Sequence, residues 1–422
     1  MDIQLKEIYW SLQTLTVFRP LLKQPLLQQL VQYLQSAQEL ETHADDMATV
    51  TKTISAYCDF TAEIYSSYDE KQTEISDNLT VYLYHHMMFC ETDYLKACAY
   101  GKTSSALLQH RLTEELEILQ KVAQLTPEVL QKPLRDAGYT MPLPSWTTCV
   151  LDFAKDYQAR IQHLPKTGFG LFASYHTFLY TNGKIRPIKH PDTQILEDLT
   201  GYERERRQVL RNTEVFLAGG TASNVLLYGD AGTGKSTTVK AIANSFFPQG
   251  LRLIEVKKNE LYQLPDLLDV LSGNPLKFIL FIDDLSFTGN DDNFSALKAI
   301  LEGGVASCGK NVLIYATSNR RHLVKENMAD RQGDALYLND TLQETMSLAA
   351  RFGLTITFQK PDKEDYLSIV KHLAIQYGVS MPEDELFTKA ETYAIRCNGR
   401  SPRTAKHFIE LQKSGIFEKN TF

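Results

Sequence analysis

Apolar residues recur at helical spacing through the first third of the chain. Leu26, Leu27, Leu30, Val31 and Leu34 fall on one helical face, and Leu107, Leu112, Leu116, Leu119 and Val122 repeat the pattern. Glycine is confined there to Gly101 and Gly138, so residues 1–145 are expected to form an all-helical domain. Pro142 and Pro144 then break the pattern and predict the start of a linker. Within 146–195 the period changes to that of a hairpin: Phe178 to Thr181, a turn at Asn182-Gly183, then Lys184 to Ile188. Pro187 cannot donate to a ladder, so the second strand is expected at an edge or to end early.

From residue 196 helix and strand alternate. Helices are predicted over Glu203–Leu217, Thr237–Phe246, Leu261–Leu271 and Phe294–Leu301, and strands over Val225–Tyr228, Leu251–Val256, Phe278–Ile282, Val312–Ala316 and Leu354–Phe358. Strands that are continuously apolar and separated by helices imply a parallel sheet covered on both faces. The predicted fold is therefore α/β over 196–360, a parallel sheet flanked by helices. A helical lid over 361–422 and the separate all-helical N-terminal domain complete it.

Composition narrows the class. An apolar share of 43% in 422 residues supports two or three ordinary globular cores. Cys58, Cys90, Cys98, Cys149, Cys308 and Cys397 are scattered, without a C-x-x-C pair, which argues against a zinc ribbon or a disulfide framework. The start of the chain lacks a basic-then-apolar leader, and no run approaches the ~18 apolar residues of a membrane span. A cytoplasmic protein without membrane contact is expected. Net charge is −7, and residues 1–150 carry 19 acids against 11 bases, a net of −8. The remainder is balanced, so overall charge gives no support to bulk nucleic-acid binding, although a local basic groove would be compatible with it.

The chemistry concentrates at Gly229-Asp230-Ala231-Gly232-Thr233-Gly234-Lys235-Ser236, the G-x-x-x-x-G-K-S pattern of phosphate-cradling loops. It follows a predicted strand and opens a predicted helix at Thr237, the order that the chemistry needs. Glycines let backbone amides face phosphate oxygens, and the helix N-terminus adds partial positive charge. Lys235 is expected on the β- and γ-phosphates of a nucleoside triphosphate, and Ser236 on Mg²⁺. Some fifty residues on, the apolar strand Phe278–Ile282 runs into Asp283-Asp284. Asp283 is assigned to the Mg²⁺ shell and Asp284 to the attacking water. The strand Val312–Ala316 ends in Thr317-Ser318-Asn319, and Asn319 could bond the water or the γ-phosphate.

This order of elements resembles the AAA+ ATPases over residues ~190–415. In that family the residue at Asn319 is the first sensor, so the resemblance implies ATP as the ligand. The segment Ala350-Arg351-Phe352-Gly353 is similar to the one that carries the arginine finger in ring-forming members such as the branch-migration motor. The resemblance implies that Arg351 reaches into a neighbouring subunit's site. Gly399-Arg400-Ser401-Pro402-Arg403 is similar to the second-sensor motif, placing Arg403 on the γ-phosphate, with Arg400 as the alternative one turn away. Leu199-Thr200-Gly201-Tyr202-Glu203 resembles the stretch that borders the adenine, so Tyr202 is expected to line that pocket. The runs GYERERRQVLRNTEVFLAGGTASNVLLYGDAGTGKS, FIDDLSF, ATSNRRHL and RFGLTITF together resemble one uncharacterised bacterial family of AAA+ ATP-binding proteins.

One departure bears on activity. Most AAA+ motors have Asp-Glu where this chain has Asp283-Asp284, and Asp-Asp is similar to the bacterial replication initiator. The shorter carboxylate withdraws the base by roughly 1.5 Å. Two functions are therefore carried forward. One is an oligomeric ATPase that remodels or loads a protein or nucleic-acid partner. The other is a slowly hydrolysing switch that recruits a protein partner through its acidic N-terminal domain. Two features read as structural: His85 and His86 face different sides of a helix, and Asp291-Asp292-Asn293 reads as a loop leading into a helix cap; Arg320-Arg321-His322 could touch phosphate, a partner or a polynucleotide and reads at least equally well as a solvated turn.

Overall fold

The computed structural model describes residues 3–66, 77–285, 292–302, 309–319, 349–397 and 399–415. Asp291, Cys308 and the Arg320-Arg321-His322 cluster lie outside the described residues. The chain divides into two compact units, Met1–Ser174 and Tyr175–Phe422.

The first unit contains helices α1 (Ile3–Gln13), α2 (Pro25–Thr42), α3 (Met47–Tyr65), α4 (Leu79–Phe89), α5 (Asp93–Ala99), α6 (Ala106–Ala123), α7 (Pro127–Asp136), α8 (Phe153–Thr167) and the short α9 (Leu171–Ser174). Their starts are written locally. Asp46, Asn78, Thr92, Ser105 and Asp152 each accept the orphan amides at the head of α3, α4, α5, α6 and α8. The core is apolar apart from a few buried polar groups, most of them hydrogen-bonded. Glu115 on α6 is 0% exposed, and its carboxylate accepts the amides of Thr16, Val17 and Phe18 at 2.7, 3.2 and 2.9 Å and Arg111 Nε at 3.0 Å. It fastens the chain leaving α1 to the middle of α6.

The boundary between the units differs from the expected linker at 146–195. Trp146, Phe153, Tyr157 and Leu164 are buried in the first core, and the indole of Trp146 donates to Leu125 O at 2.8 Å. Pro142 and Pro144 mark an extended crossing on that unit, not its end, because proline stops a helix without stopping burial. The hairpin belongs to the second unit.

There β1 (Thr177–Thr181) and β2 (Lys184–Pro187) pair antiparallel, and β1 pairs parallel with β4 (Leu251–Val256). Asn182 and Gly183 both take positive φ, 51° and 70°, as a two-residue hairpin turn requires. The other strands are β3 (Val225–Gly229), β5 (Lys277–Ile282), β6 (Val312–Ser318) and β7 (Leu354–Phe358), and the sheet order is β2-β1-β4-β5-β6-β3-β7. Every pairing except the hairpin is parallel. β2 is an edge strand and ends at Pro187.

Helices α10 (Glu203–Leu217) and α11 (Lys235–Phe246) cover one face through Val209, Phe216, Val239, Ile242 and Phe246. The alternate strand residues Leu226, Ile254, Leu280 and Ile314 are buried as well, so the opposite face is also covered. Helices α12 (Leu264–Leu271) and α13 (Asp292–Leu301) lie between strands in the chain. After β7 come α14 (Lys363–Tyr377), α15 (Glu383–Arg396) and α16 (Pro402–Lys413), with a core of their own around Tyr366, Leu386 and Phe408. This is the expected α/β architecture with its helical lid. Taking β3 as first strand, the central order β7-β3-β6-β5-β4 is the AAA+ arrangement, with the hairpin added at the far edge.

Candidate functional site

The parallel register brings the carboxyl ends of β3, β5 and β6 to one edge of the sheet, where a ligand site is expected. A cavity of about 570 Å³ opens there. Ala231 to Thr238 line it, together with Asp283, Asp284, Thr317, Asn319 and, from the lid, Pro402, Arg403 and Lys406.

The loop after β3 is shaped by its neighbours. Gly229 has φ 135°, and a Cβ there would lie 2.0 Å from Phe358 O, so only glycine fits against β7. Gly234 caps α11 with φ 90°, and a Cβ on it would meet nothing within 4 Å. The loop thus leaves an unfilled cradle at a helix N-terminus, where the first amides have no intrahelical acceptor.

Lys235 is 5% exposed. Its ammonium donates to Gly229 O at 3.0 Å, Asp230 O at 2.7 Å and Asn319 Oδ1 at 3.1 Å. Burial lowers its pKa, the charges of Asp230, Asp283 and Asp284 oppose that shift, and the nearby Arg403 guanidinium adds to it. Asn319 also donates from Nδ2 to Asp284 Oδ1 at 2.8 Å, so one amide spans lysine and acid. Asp283 Oδ1 accepts the hydroxyls of Ser236 and Thr317, each at 2.6 Å.

The structure therefore gathers Lys235, Ser236, Thr237, Asp283, Asp284, Asn319 and Arg403 around one cavity. Gly229 and Asp230 sit behind it. Their carbonyls hold the lysine, and the Asp230 carboxylate accepts the Lys360 amide at 3.1 Å. Thr233, 1% exposed, closes the loop on Asp230 O at 2.8 Å. The lid touches the loop directly, because the Arg403 amide donates to Gly232 O at 3.2 Å. Arg400 instead forms a two-bond pair with Glu391 at 2.9 and 2.7 Å, and of the two arginines it is Arg403 that lines the cavity.

Tyr202 lines the cavity in a left-handed conformation, φ 59°. Its ring stacks on Phe358 at 5.1 Å and its hydroxyl donates to Gln359 O at 2.5 Å. Burial, then the charges of Asp365, Glu205 and Asp230, raise the phenol's pKa. Arg351 lies away from this cavity and pairs with Glu302 at the end of α13, at 2.5 Å.

The cavity residues with no role assigned from the sequence include Thr200, Arg206, Thr317 and Lys406. Thr317 carried a signal, a hydroxyl residue two places before Asn319 at the end of a strand. Arg206 and Lys406 carried none beyond their charge.

Two observations bear on a nucleotide and its cation. The Thr200 hydroxyl oxygen is buried at the cavity without a hydrogen-bond partner, a polar atom that a nucleotide there would satisfy. Ser236 and Asp283 offer a hydroxyl and a carboxylate side by side, the hard-oxygen pair that Mg²⁺ takes when phosphates complete its shell. Among the described residues no cluster of three or more His, Cys, Asp or Glu could hold a metal by itself. Nor is any helix among them long and apolar enough to cross a membrane.

Among solved structures, the chain is similar to the Thermotoga maritima RuvB Holliday junction branch migration motor, at 19% identity and a TM-score of 0.37. The overlap covers 53% of this chain and 66% of that one, so the chain spans just under two thirds of that relative. It is also similar to a katanin structure concerned with self-assembly, at 15% identity and a TM-score of 0.33, covering 55% of this chain and 74% of that one. The strand order and the placement of the motifs within it resemble those of the AAA+ ATPases. Residues 173–415, more than half the chain and nearly all of the second unit, match the family described as Protein of unknown function (DUF815), and the chain belongs to that family.

Proposed function

We propose that this protein binds ATP with Mg²⁺ in the cavity at the strand ends and hydrolyses it as an oligomer, to remodel or load a protein or nucleic-acid partner. The observation that carries the reading is the convergence of Lys235, Asn319, Asp283 and Asp284, from three strands, on one cradle. Three protein oxygens now satisfy the Lys235 ammonium, and phosphate oxygens of the same character would take over part of that role. The loop amides and the α11 N-terminus would hold the β-phosphate. Ser236 and Asp283 would hold Mg²⁺, which supplies charge neutralisation on the phosphates. Asp284 would accept the proton of the attacking water, with Asn319 fixing the carboxylate that receives it. Arg403, through its contact with the loop, would report the γ-phosphate to the lid.

Arg351 sits outside its own cavity, which supports a role in a neighbouring copy. The transition-state charge would then be met in trans. A second reading is favoured by Asp284, whose short carboxylate is already engaged by Asn319. It is an ATP-dependent switch or loader with slow hydrolysis, in which the acidic first unit recruits a protein partner.

Steady-state ATP turnover against protein concentration, for wild type beside Arg351→Ala, separates the two. Turnover that rises steeply with concentration and collapses in the variant supports the assembled ATPase. Tight ATP binding with negligible turnover in both supports the switch. Absence of ATP binding by the wild type would sink both.

A further inference from the structure

We infer that Thr317 is a positioning residue that holds the Asp283–Asp284 pair in its working geometry. The inference rests on the ATPase reading above. Thr317 is the penultimate residue of β6, and the register Ile282↔Ala316 sets it beside Asp283, just past the end of β5. It is 2% exposed. Its hydroxyl donates to Asp283 Oδ1 at 2.6 Å and accepts the Asp284 amide at 2.9 Å. Its carbonyl accepts the Leu285 amide at 2.7 Å. One residue thus binds three consecutive residues of the turn that carries both acids.

The turn needs this support. Asp284 has φ 52°, the left-handed region that non-glycine residues seldom enter. Such a conformation persists only where the surroundings over-determine it. The three bonds to Thr317 and the Asn319 amide on the Asp284 carboxylate provide that determination. The backbone twist sets where the Asp284 carboxylate points, and with a side chain one methylene shorter than glutamate the aim matters more.

The hydroxyl also couples two jobs. Its donation orients the carboxylate assigned to the cation, and its acceptance fixes the backbone of the carboxylate assigned to water. Ser236 shares Asp283 Oδ1 with Thr317, but Ser236 is itself assigned to the cation. Thr317 has no such competing duty. Its β-branched side chain limits χ1, so the hydroxyl is held in one direction with little entropy left to lose.

The test compares Thr317→Val with Thr317→Ser. Valine keeps the branched shape and removes both side-chain bonds, while serine keeps the hydroxyl. Three readouts are taken: kcat and KM for ATP, affinity for a fluorescent ATP analogue with and without Mg²⁺, and Tm. Thr317→Val should lower kcat by ~10²-fold, the scale of a roughly 1 Å misplacement. Its KM should rise by no more than the Mg²⁺-dependent part of binding that is lost, far less than kcat falls. It should also blunt the gain in analogue affinity that Mg²⁺ produces in the wild type, while Mg²⁺-free affinity stays unchanged. Thr317→Ser should recover most of both effects.

A Thr317→Val protein equal to wild type in kcat and in Mg²⁺ dependence overturns the inference. So does equal impairment of both variants with an equal fall in Tm, which would mark a packing role. If the wild type binds the analogue without turnover, the Mg²⁺ arm alone decides. A wild type that binds no analogue defeats the ATPase reading itself, a result distinct from an unaltered Thr317→Val.

Discussion

The principal polar clusters of the two units are placed in opposite ways. In Met1–Ser174 such groups are turned inward on the fold. Glu115 is surrounded by backbone amides and Arg111, the Tyr33 hydroxyl donates to Leu130 O, and Gln131 donates to the Tyr57 hydroxyl at 2.8 Å. In Tyr175–Phe422 one set of polar groups borders a cavity instead. Lys235, Asp283, Asn319 and the orphan Thr200 hydroxyl oxygen all border the same space. Charge divides similarly: residues 1–174 carry 21 acids and 14 bases, a net of −7, while residues 175–422 carry 30 of each. Polar groups that satisfy one another make a scaffold, and polar groups held in place around a cavity make a site.

Three substitutions probe that contrast. The largest effect is expected from Asp284→Ala, which removes the proposed proton acceptor. ATP turnover should fall ~10³-fold, about 4 kcal/mol of barrier, with ATP binding retained. Rapid-quench or coupled-assay turnover beside equilibrium binding checks it, and unchanged turnover removes Asp284 from the mechanism.

Glu115→Ala tests the other unit. It strips a buried carboxylate from three amides and Arg111, and should destabilise the first unit by about 3 kcal/mol. Both tryptophans, Trp10 and Trp146, lie in that unit. Urea unfolding followed by tryptophan fluorescence therefore reports on it, while nucleotide affinity reports on the second unit and should not move. A loss of affinity in Glu115→Ala would break the division of labour.

Lys235→Ala reverses the pattern. ATP binding should weaken ~10²-fold, about 2.7 kcal/mol. The tryptophan-detected transition should stay where it is. Calorimetric titration of ATP reads the first, and the same urea series reads the second.

Local chemistry was legible wherever it depends on contiguous backbone. The Gly229–Ser236 loop, the Asn182-Gly183 turn and the strand leading into Asp283 could be read directly, because glycine conformations, turn types and strand ends depend on neighbours in the chain. The alternation of continuously apolar strands with helices was enough for the α/β class. The domain boundary was not legible in the same way. Trp146 and Tyr157 look like any aromatic residues until a core closes over them, and Pro142 and Pro144 report only that a helix has stopped.

The sequence by itself determined the Gly229–Ser236 loop, the two acids after β5 and the sheet that presents them, since each follows from local conformation and hydrophobic period. Only the tertiary structure decided which residues face one another. It set Thr317 beside Asp283 through the β5–β6 register, turned Arg403 and not Arg400 to the cavity, and placed Arg351 on Glu302 outside it. Those choices depend on strand register, on a helix pivoting at its cap and on side chains meeting across dozens of residues of chain. No periodicity along the sequence encodes them, because the distances that matter are through space.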